Sequence, residues 1–189
     1  MGSLPDAPGI RAAIGLTPAL GNHLLGLADA LLVDDFPGAT IDRAEREMLA
    51  EAVSAANDCF FCMDSHGAHA AAVLEALGAT DRLPLVDEIK LGSFERFTPR
   101  MRALIRISRT VGRNARELTA EDVAAATAAG ATDGDVQLAV LIAAAFSMYN
   151  RMVDGFRART PVDLGVYRAR AAQIAEVGYG ARPATMPRR

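Results

Sequence analysis

Residues 47–69 read Glu47-Met-Leu-Ala-Glu51-Ala-Val-Ser-Ala-Ala-Asn57-Asp58-Cys59-Phe-Phe-Cys62-Met-Asp-Ser-His66-Gly-Ala-His69. The Asn-Asp pair interrupts an apolar stripe of helical spacing, because both residue types favour caps and turns over helix interiors. On a second helix that begins at this pair, the two cysteines and the first histidine occupy positions i, i+3 and i+7. That spacing places both thiols and an imidazole on one helical face within two turns.

The helical pattern continues on both sides of this stretch, and no strand-like alternation persists. Further helix starts are predicted where threonine precedes proline or acidic residues, because such residues cap and open helices. These threonines are Thr17, Thr80, Thr98, Thr119, Thr132 and Thr160. Thr119-Ala120-Glu121-Asp122 resembles a capping box with Asp in the return position. We therefore predict an all-α single-domain bundle of about eight helices over residues 17–180, with an irregular lead-in at 1–16 and a flexible tail at 181–189.

Composition limits the partners and the compartment. The chain has 189 residues, of which 51% are hydrophobic, and its formal net charge is −3. This balance gives no electrostatic basis for binding nucleic acid. The N-terminus lacks the pattern of a secretory signal, and the longest apolar segment, residues 136–148, is interpreted as a buried core helix and not as a membrane span. We expect a cytoplasmic protein with no membrane contact, where thiols are kept reduced.

Both cysteines of the chain lie in a single C-x-x-C motif. A disulfide that closes so short a loop stabilises a fold very little, so redox or metal chemistry is the better explanation of the pair. Cys59 is expected in the first helical turn, where free N–H groups and the helix dipole favour a thiolate. His66 follows Cys62 by one turn and is placed to exchange a proton with it. Two thiols at this spacing can close into a disulfide and reopen.

Glu47 precedes Cys59 by twelve residues, on the preceding helix. If the two helices are antiparallel, its carboxylate can reach the thiol–imidazole face, orient His66 and tune the proton affinity of that ring. Glu51, one turn further along, competes for this role. His69, one turn after His66, competes for the role of the imidazole, although by itself it is more simply a structural or exposed residue.

The pattern Glu-x11-Cys-x2-Cys-x3-His, filled here by Glu47, Cys59, Cys62 and His66, resembles the active-site motif of alkylhydroperoxidase D-like (AhpD-like) proteins. These belong to the carboxymuconolactone decarboxylase-like superfamily. The resemblance extends over residues 34–156, and its second half looks like the peroxidase-related branch. That half contains Leu118-Thr119-x-Glu121-Asp122-Val123, Ala129-Gly130-x-x-Asp133 and Phe146-x-x-x-Asn150-Arg151.

The resemblance implies an all-α AhpD-like fold that assembles into dimers, trimers or hexamers, and an antioxidant, peroxide-reducing activity. Cys62 would attack the peroxide and Cys59 would resolve it as a disulfide, with Glu47 and His66 as a proton relay. An external thiol or dithiol would then reduce the disulfide, and no cofactor is expected. The helix-terminus argument instead favours Cys59 as the more acidic thiol. One departure from the family is Phe61, which stands where well-studied peroxidase members carry a histidine.

Other interpretations stay open. Cys59, Cys62 and His66 can supply three zinc ligands, with His69 or Glu47 as the fourth. The thiols can also be inert buried residues, in a metal-binding or small-molecule-binding helical protein that does not cycle them. A lactone decarboxylase, suggested by the superfamily name, ranks last, because that chemistry does not require a cysteine pair. Asn150 and Arg151 are interpreted as residues that cap or bridge helices.

Overall fold

The computed structural model describes residues 7–16 and 18–180, and these residues form helices connected by short turns. The helices are α1 (Ile10–Leu16), α2 (Pro18–Leu32), α3 (Arg43–Ala56), α4 (Phe60–Ala76), α5 (Leu83–Leu91), α6 (Pro99–Asn114), α7 (Ala120–Ala128), α8 (Asp133–Gly155) and α9 (Gly165–Val177). Two single-turn 3-10 helices lie at Thr80–Arg82 and Ala115–Glu117. The all-α prediction is confirmed.

Three boundaries differ from the sequence prediction. Residues 10–16, expected in the irregular lead-in, form α1, whose buried residues Ala12 and Ala13 pack into the protein. Helix α9 begins at Gly165, five residues after Thr160, because the Thr-Pro pair there starts an extended segment and not a helix. Helix α4 begins at Phe60, with Cys59 as its N-cap residue. The predicted cap at Thr17 and the predicted tail at 181–189 lie outside the described residues.

Local capping chemistry explains where several helices begin. Asp42, Thr119 and Thr132 each accept a hydrogen bond from the backbone three residues later. In each case the acidic side chain at that later position returns a bond to the cap backbone, which completes a capping box. The Thr119 box is the one that the sequence predicts. After α4, Gly78 adopts a φ of 69°, the left-handed conformation that suits glycine beyond a helix end.

Helix α3 lies at the centre of the bundle. It packs against α4, α6 and α8, and almost all of its side chains are buried. Four of these buried residues are polar or charged, namely Arg46, Glu47, Glu51 and Ser54. Polar groups are costly to bury without partners, so the centre of the fold is also the place to look for chemistry.

Helix α8 is the long apolar helix of the core. By length and composition it is the one helix in the described ranges that could cross a membrane, yet 56% of its most apolar window is buried inside the protein. It packs against α6 and α3, as the interior helix of a soluble protein does. The interpretation of residues 136–148 as a core helix agrees with this packing.

Candidate functional site

The turn between α3 and α4 sets the position of the two cysteines. Asn57 caps the end of α3, and Asp58 takes a left-handed φ of 57°, which reverses the chain. The amide of Asn57 donates to Asn150 Oδ1 over 2.9 Å, and the Asn150 amide donates to Ser54 Oγ over 3.1 Å. The Cys59 backbone N–H donates to the Ser54 carbonyl over 3.0 Å. Asn150 therefore bridges α8 to the α3–α4 turn, as the sequence predicts.

The two thiols face each other inside the protein. Their Sγ atoms are 3.1 Å apart, and neither is in a disulfide, which needs about 2.0 Å. Cys59 is fully buried, whereas Cys62 retains 4% exposure and lines a cavity. The hydrogen bond with Cys59 and burial both raise the pKa of Cys62 well above its ordinary value. Cys59 precedes the first turn of α4 and its side chain caps no backbone N–H, so its expected placement within that turn is wrong.

Glu47 and His66 meet across the α3–α4 interface. Glu47 Oε2 lies 2.8 Å from His66 Nδ1, and both residues are buried. Burial alone would raise the pKa of Glu47, but the hydrogen bond from His66 and the nearby His69 ring outweigh it and lower the pKa to about 2. The carboxylate is therefore ionised, and an ionised carboxylate only accepts hydrogen bonds. In a neutral His66 ring the proton therefore lies on Nδ1, and the Nε2 lone pair can act as a base.

Tyr179 completes this network, and the sequence analysis did not identify it. Its hydroxyl lies 2.8 and 2.9 Å from the two Glu47 oxygens and 2.9 Å from His69 Nδ1. Burial and the neighbouring Glu47 charge raise the pKa of Tyr179 well above 10, so the hydroxyl keeps its proton and donates it to Glu47. The same oxygen then accepts from His69 Nδ1–H.

His69 is consequently the second imidazole of the site. It is buried rather than exposed, and its Nδ1 also lies 3.7 Å from Glu47 Oε2. Burial lowers the pKa of His69 below 6.5, which favours the neutral ring. With Nδ1–H given to Tyr179, its Nε2 carries a lone pair, and this atom is buried without a hydrogen-bond partner in the described part of the chain.

The segment after α9 brings Tyr179 to the site from the far end of the chain. Asp29 on α2 accepts hydrogen bonds from the backbone N–H of Tyr179 at 2.7 Å and of Gly180 at 2.9 Å. Gly178 takes a φ of 85°, and a Cβ there would lie 2.6 Å from Asp29 Oδ1. Only glycine fits this turn without strain. A Gly-Tyr-Gly turn following the last helix was the one available sequence signal.

Glu51, the competing carboxylate, is not part of this network. It is fully buried, and neither carboxylate oxygen has a hydrogen-bond partner among the described residues. Burial raises the pKa of Glu51 well above 4.5, and the nearby Lys90 offsets this only in part. The structure therefore resolves the choice between the two acidic residues: Glu47 contacts the imidazoles and Glu51 does not.

Metal-ligand geometry selects a different set of residues from the one predicted. Within residues 7–16 and 18–180, the group whose ligand atoms approach closely enough for a metal is Glu47, His66 and His69, all within 4.8 Å of one another. Neither cysteine belongs to it. The Tyr179 hydroxyl already contacts all three residues, at 2.8–3.4 Å. The predicted zinc set of Cys59, Cys62 and His66 is thus not the cluster that the fold assembles.

Fold and site together define an all-α protein with a buried dithiol beside a carboxylate–imidazole network. The sequence model of the carboxymuconolactone decarboxylase family matches residues 18–82, which include this whole cluster except Tyr179. A search of the curated proteins gives no match. Together with the solved structures below, the match to the family model supports a likeness to the AhpD-like, carboxymuconolactone decarboxylase-like superfamily.

Two solved structures are similar to this chain. One is described as an alkylhydroperoxidase AhpD core, an uncharacterized peroxidase-related protein from Ralstonia eutropha JMP134, with 27% identity and a TM-score of 0.69. The match covers 86% of this chain and 82% of that one. The other is an uncharacterized peroxidase-related protein from Silicibacter sp. TM1040, with 21% identity, a TM-score of 0.68, and 85% and 78% coverage. The second shows that the fold is shared.

Proposed function

We propose that the protein is a thiol-dependent peroxidase that reduces organic hydroperoxides through a Cys59–Cys62 disulfide. One observation carries the proposal. Cys62 lines the same cavity as His66, the Nδ1 of His66 is held by the buried carboxylate of Glu47, and the Cys59 thiol lies 3.1 Å behind Cys62. A substrate in the cavity therefore meets a thiol, a base and a second thiol in that order.

The first step uses His66 as a base. Cys62 has a raised pKa, so its thiol must lose its proton as the peroxide arrives, and His66 Nε2 accepts that proton. The thiolate attacks the terminal peroxide oxygen, and the O–O bond breaks. Cys62 becomes a sulfenic acid, and the departing alkoxide takes the proton from the imidazolium to leave as an alcohol. Ionised Glu47 stabilises the transient imidazolium charge.

The second step forms the disulfide. The Cys59 thiol attacks the Cys62 sulfenic sulfur, an S–S bond forms, and the hydroxyl group leaves as water with the thiol proton. An external thiol or dithiol then reduces the disulfide and restores both cysteines. Access decides between the two cysteines here: Cys59 is sealed from the cavity and suits the resolving role, whereas Cys62 suits the attack.

Tyr179 and His69 bear on the histidine that peroxidase members of the family carry and that this chain lacks. Phe61 occupies the position where peroxidase members carry an imidazole, but His69 lines the same cavity and shares Glu47 through Tyr179. We infer that His69 supplies the second imidazole from the other side of the carboxylate. Tyr179 is a positioning residue in this scheme, because it acts through Glu47 and His69 and not on the reacting atoms.

Thiol titration before and after stoichiometric cumene hydroperoxide tests the proposal. The expected result is rapid loss of both thiols, with a mass decrease of two hydrogens in the peptide that contains Cys59 and Cys62. In Cys59→Ser the oxidation should stop at a Cys62 sulfenic acid, which dimedone traps. In Cys62→Ser no sulfenic acid should form at Cys59. Wild-type thiols that survive excess hydroperoxide would contradict the proposed function.

Metal binding is the second candidate, favoured by the approach of Glu47, His66 and His69. Two histidines and a carboxylate are a common ligand set for zinc or iron(II). A metal would have to displace the Tyr179 hydroxyl from its place among them, so Tyr179→Phe should bind metal more tightly than wild type. Near-stoichiometric zinc or iron in protein purified without chelator would support this candidate over a peroxidase.

We also propose that the enzyme works in the cytoplasm as a homo-oligomer. Several large apolar side chains on α2 and the later helices are exposed, including Leu20, Leu27, Leu91 and Leu141, and an apolar surface of this kind suits association. Light scattering coupled to size-exclusion chromatography checks the state, with a dimer, trimer or hexamer expected and a monomer contradicting it.

A further inference from the structure

The cavity beside Cys62 is lined by side chains from five helices and from the segment after α9. It encloses about 100 Å³, and most of its wall is apolar. The apolar side chains come from α1, α2, α4, α8 and α9, and they include Ile10, Ile14, Leu24, Leu25, Phe146 and Ile174. The thiol of Cys62 and the two imidazoles form one part of the wall.

Two arginines also line this cavity. Among the described lining residues, they are the only side chains with a permanent charge. Arg11 lies exposed on α1, and Arg170 lies half-buried on α9. Burial and the charge of Arg11 both lower the pKa of Arg170. Arg170 donates to the amide oxygen of Gln173, but no carboxylate in residues 7–16 or 18–180 forms a salt bridge with either arginine.

An anionic ligand would form ion pairs with Arg11 and Arg170. Arginine side chains of like charge repel each other, and an unpaired, partly desolvated guanidinium binds carboxylates strongly through paired N–H donors. No acidic side chain lines the cavity to fill that role. A ligand that satisfies every part of the wall therefore has an anionic end, an apolar body and a group that reacts at Cys62.

We infer that the substrate is a short organic hydroperoxide that carries a carboxylate, with the carboxylate held by Arg11 and Arg170 and the hydroperoxide group at Cys62. The inference rests on the proposed function and specifies its substrate class. The body must be short, because the cavity offers only about 100 Å³. The carboxylate is unchanged in the reaction, so the redox balance of the proposed steps still applies.

Matched probes test this inference. One is the hydroperoxide of a short branched carboxylic acid, and the other is its methyl ester, which has the same body and reacting group without the charge. Stopped-flow measurement of thiol oxidation should give a rate constant for the acid roughly tenfold or more above that for the ester, since charge-assisted hydrogen bonds are strong. High salt should reduce this ratio, because the Arg11 end of the site is exposed.

Variants locate the effect. Arg170→Gln and Arg11→Gln should each lower the acid-to-ester ratio several-fold, and the double variant should bring it close to one. Arg168→Gln is the matched control, because Arg168 is an exposed arginine of α9 that does not line the cavity. Its ratio should equal that of wild type. Circular dichroism and Tm values establish that each variant folds.

The outcomes separate this inference from the proposed function. Oxidation of wild-type thiols by both probes at equal rates would overturn the carboxylate inference and leave the peroxidase intact. A ratio that Arg168→Gln lowers as much as Arg170→Gln would also overturn it, because the effect would then be general electrostatics. If neither probe nor any uncharged hydroperoxide oxidises the thiols, the proposed function fails and the inference fails with it.

Discussion

Glu47 and Glu51 lie one turn apart on the same helix, and both are fully buried, yet their surroundings have opposite effects. Glu47 is contacted by His66, His69 and Tyr179, and its pKa falls to about 2. Glu51 has no hydrogen-bond partner among the described residues, and its pKa rises well above 4.5. Two acids buried to the same depth therefore differ in the direction of their pKa shifts.

The comparison teaches that burial alone does not decide the charge of a carboxyl group. Desolvation is the largest single influence on both residues and acts in the same direction. The hydrogen bond from His66 and the nearby His69 ring reverse it at Glu47, whereas the nearby Lys90 does not reverse it at Glu51. A carboxylate fixed as an anion accepts the His66 N–H and adds a charge that stabilises the protonated ring.

Replacing Glu47 and Glu51, one at a time, by the isosteric amide should show the largest difference between the two residues. Glu47→Gln removes the anion that holds His66 and stabilises its protonated form, so oxidation of the thiols by hydroperoxide should slow by roughly 10²–10⁴-fold, the range for general acid–base groups. Glu51→Gln changes a carboxyl group that hydrogen-bonds to neither imidazole and should keep the wild-type rate. Single-turnover stopped-flow kinetics measure both, and equal losses would remove Glu47 from the relay.

The two residues should also give opposite pH dependences of stability. The folded pKa of Glu47 lies below its unfolded value of about 4.5, so its contribution is present above pH 4.5 and is lost as pH falls toward 2. A shift of this size corresponds to about 3 kcal/mol of unfolding free energy over the full range. Glu51 has a raised folded pKa, so its contribution is present below pH 4.5 and is lost as pH rises.

Urea denaturation across pH measures both effects. Glu47→Gln should flatten the loss of stability on acidification below pH 4.5, and Glu51→Gln should flatten the loss on going to higher pH. A Glu51→Gln curve parallel to wild type above pH 4.5 would contradict the assignment of a raised pKa to Glu51.

Removing the Tyr179 hydroxyl should shift the pKa of Glu47 in the direction of the pKa of Glu51. Tyr179→Phe takes away a donor to Glu47, so the pKa of Glu47 should rise and the acid limb of the pH–rate profile should move to higher pH. The unfolding free energy should fall by about 1–2 kcal/mol, the usual cost of a lost buried hydrogen bond. Imidazole 15N NMR should show His69 released from its Nδ1–H form.

Tyr167→Phe is the matched control for this change. The Tyr167 hydroxyl donates to the Pro161 carbonyl over 3.1 Å, away from the carboxylate network. That variant should lose stability through its own hydrogen bond but leave the acid limb and the His69 tautomer as in wild type. An equal shift of the acid limb in both variants would exclude a positioning role for Tyr179.

Lys90→Met should have the smallest effect on the difference between the pKa values of Glu47 and Glu51. Lys90 is the nearest cation that lowers the pKa of Glu51, and it also pairs with Asp64 at 2.8 Å. The pair is partly exposed, so the loss of unfolding free energy should stay within about 0.5 kcal/mol, while the pKa of Glu51 rises further. In a Glu51→Gln background the pH-dependent part of the effect should vanish, and a double-mutant cycle measures this.

The local features of the site could be predicted from the sequence because they depend on neighbours within a few residues. The Asn57-Asp58 break, the capping box at Thr119 and the shared face of Cys62 and His66 each follow from spacing along one segment. The α4 boundary was wrong by the small margin that end effects introduce, since Cys59 caps the helix and does not enter it.

The choice among competing residues could not be predicted, because it depends on which helices pack together and at what rotation. Glu47 and Glu51 lie one turn apart on a helix, and sequence periodicity distinguishes the directions of their side chains only coarsely. From the sequence, His69 by itself is more simply a structural or exposed residue. In the structure, α4, α9 and the segment after α9 enclose it. Tyr179 had no recognisable motif, and it reaches Glu47 across 132 positions of the chain.

The sequence by itself determined the helices, the dithiol motif and the histidine one turn beyond it, because helical periodicity is a property of a single segment. Only the tertiary structure decided which carboxyl group is ionised, which thiol opens to the cavity and which arginines lie beside it. Those outcomes depend on desolvation and on donors brought from distant parts of the chain. Packing, and not spacing, supplies both of them.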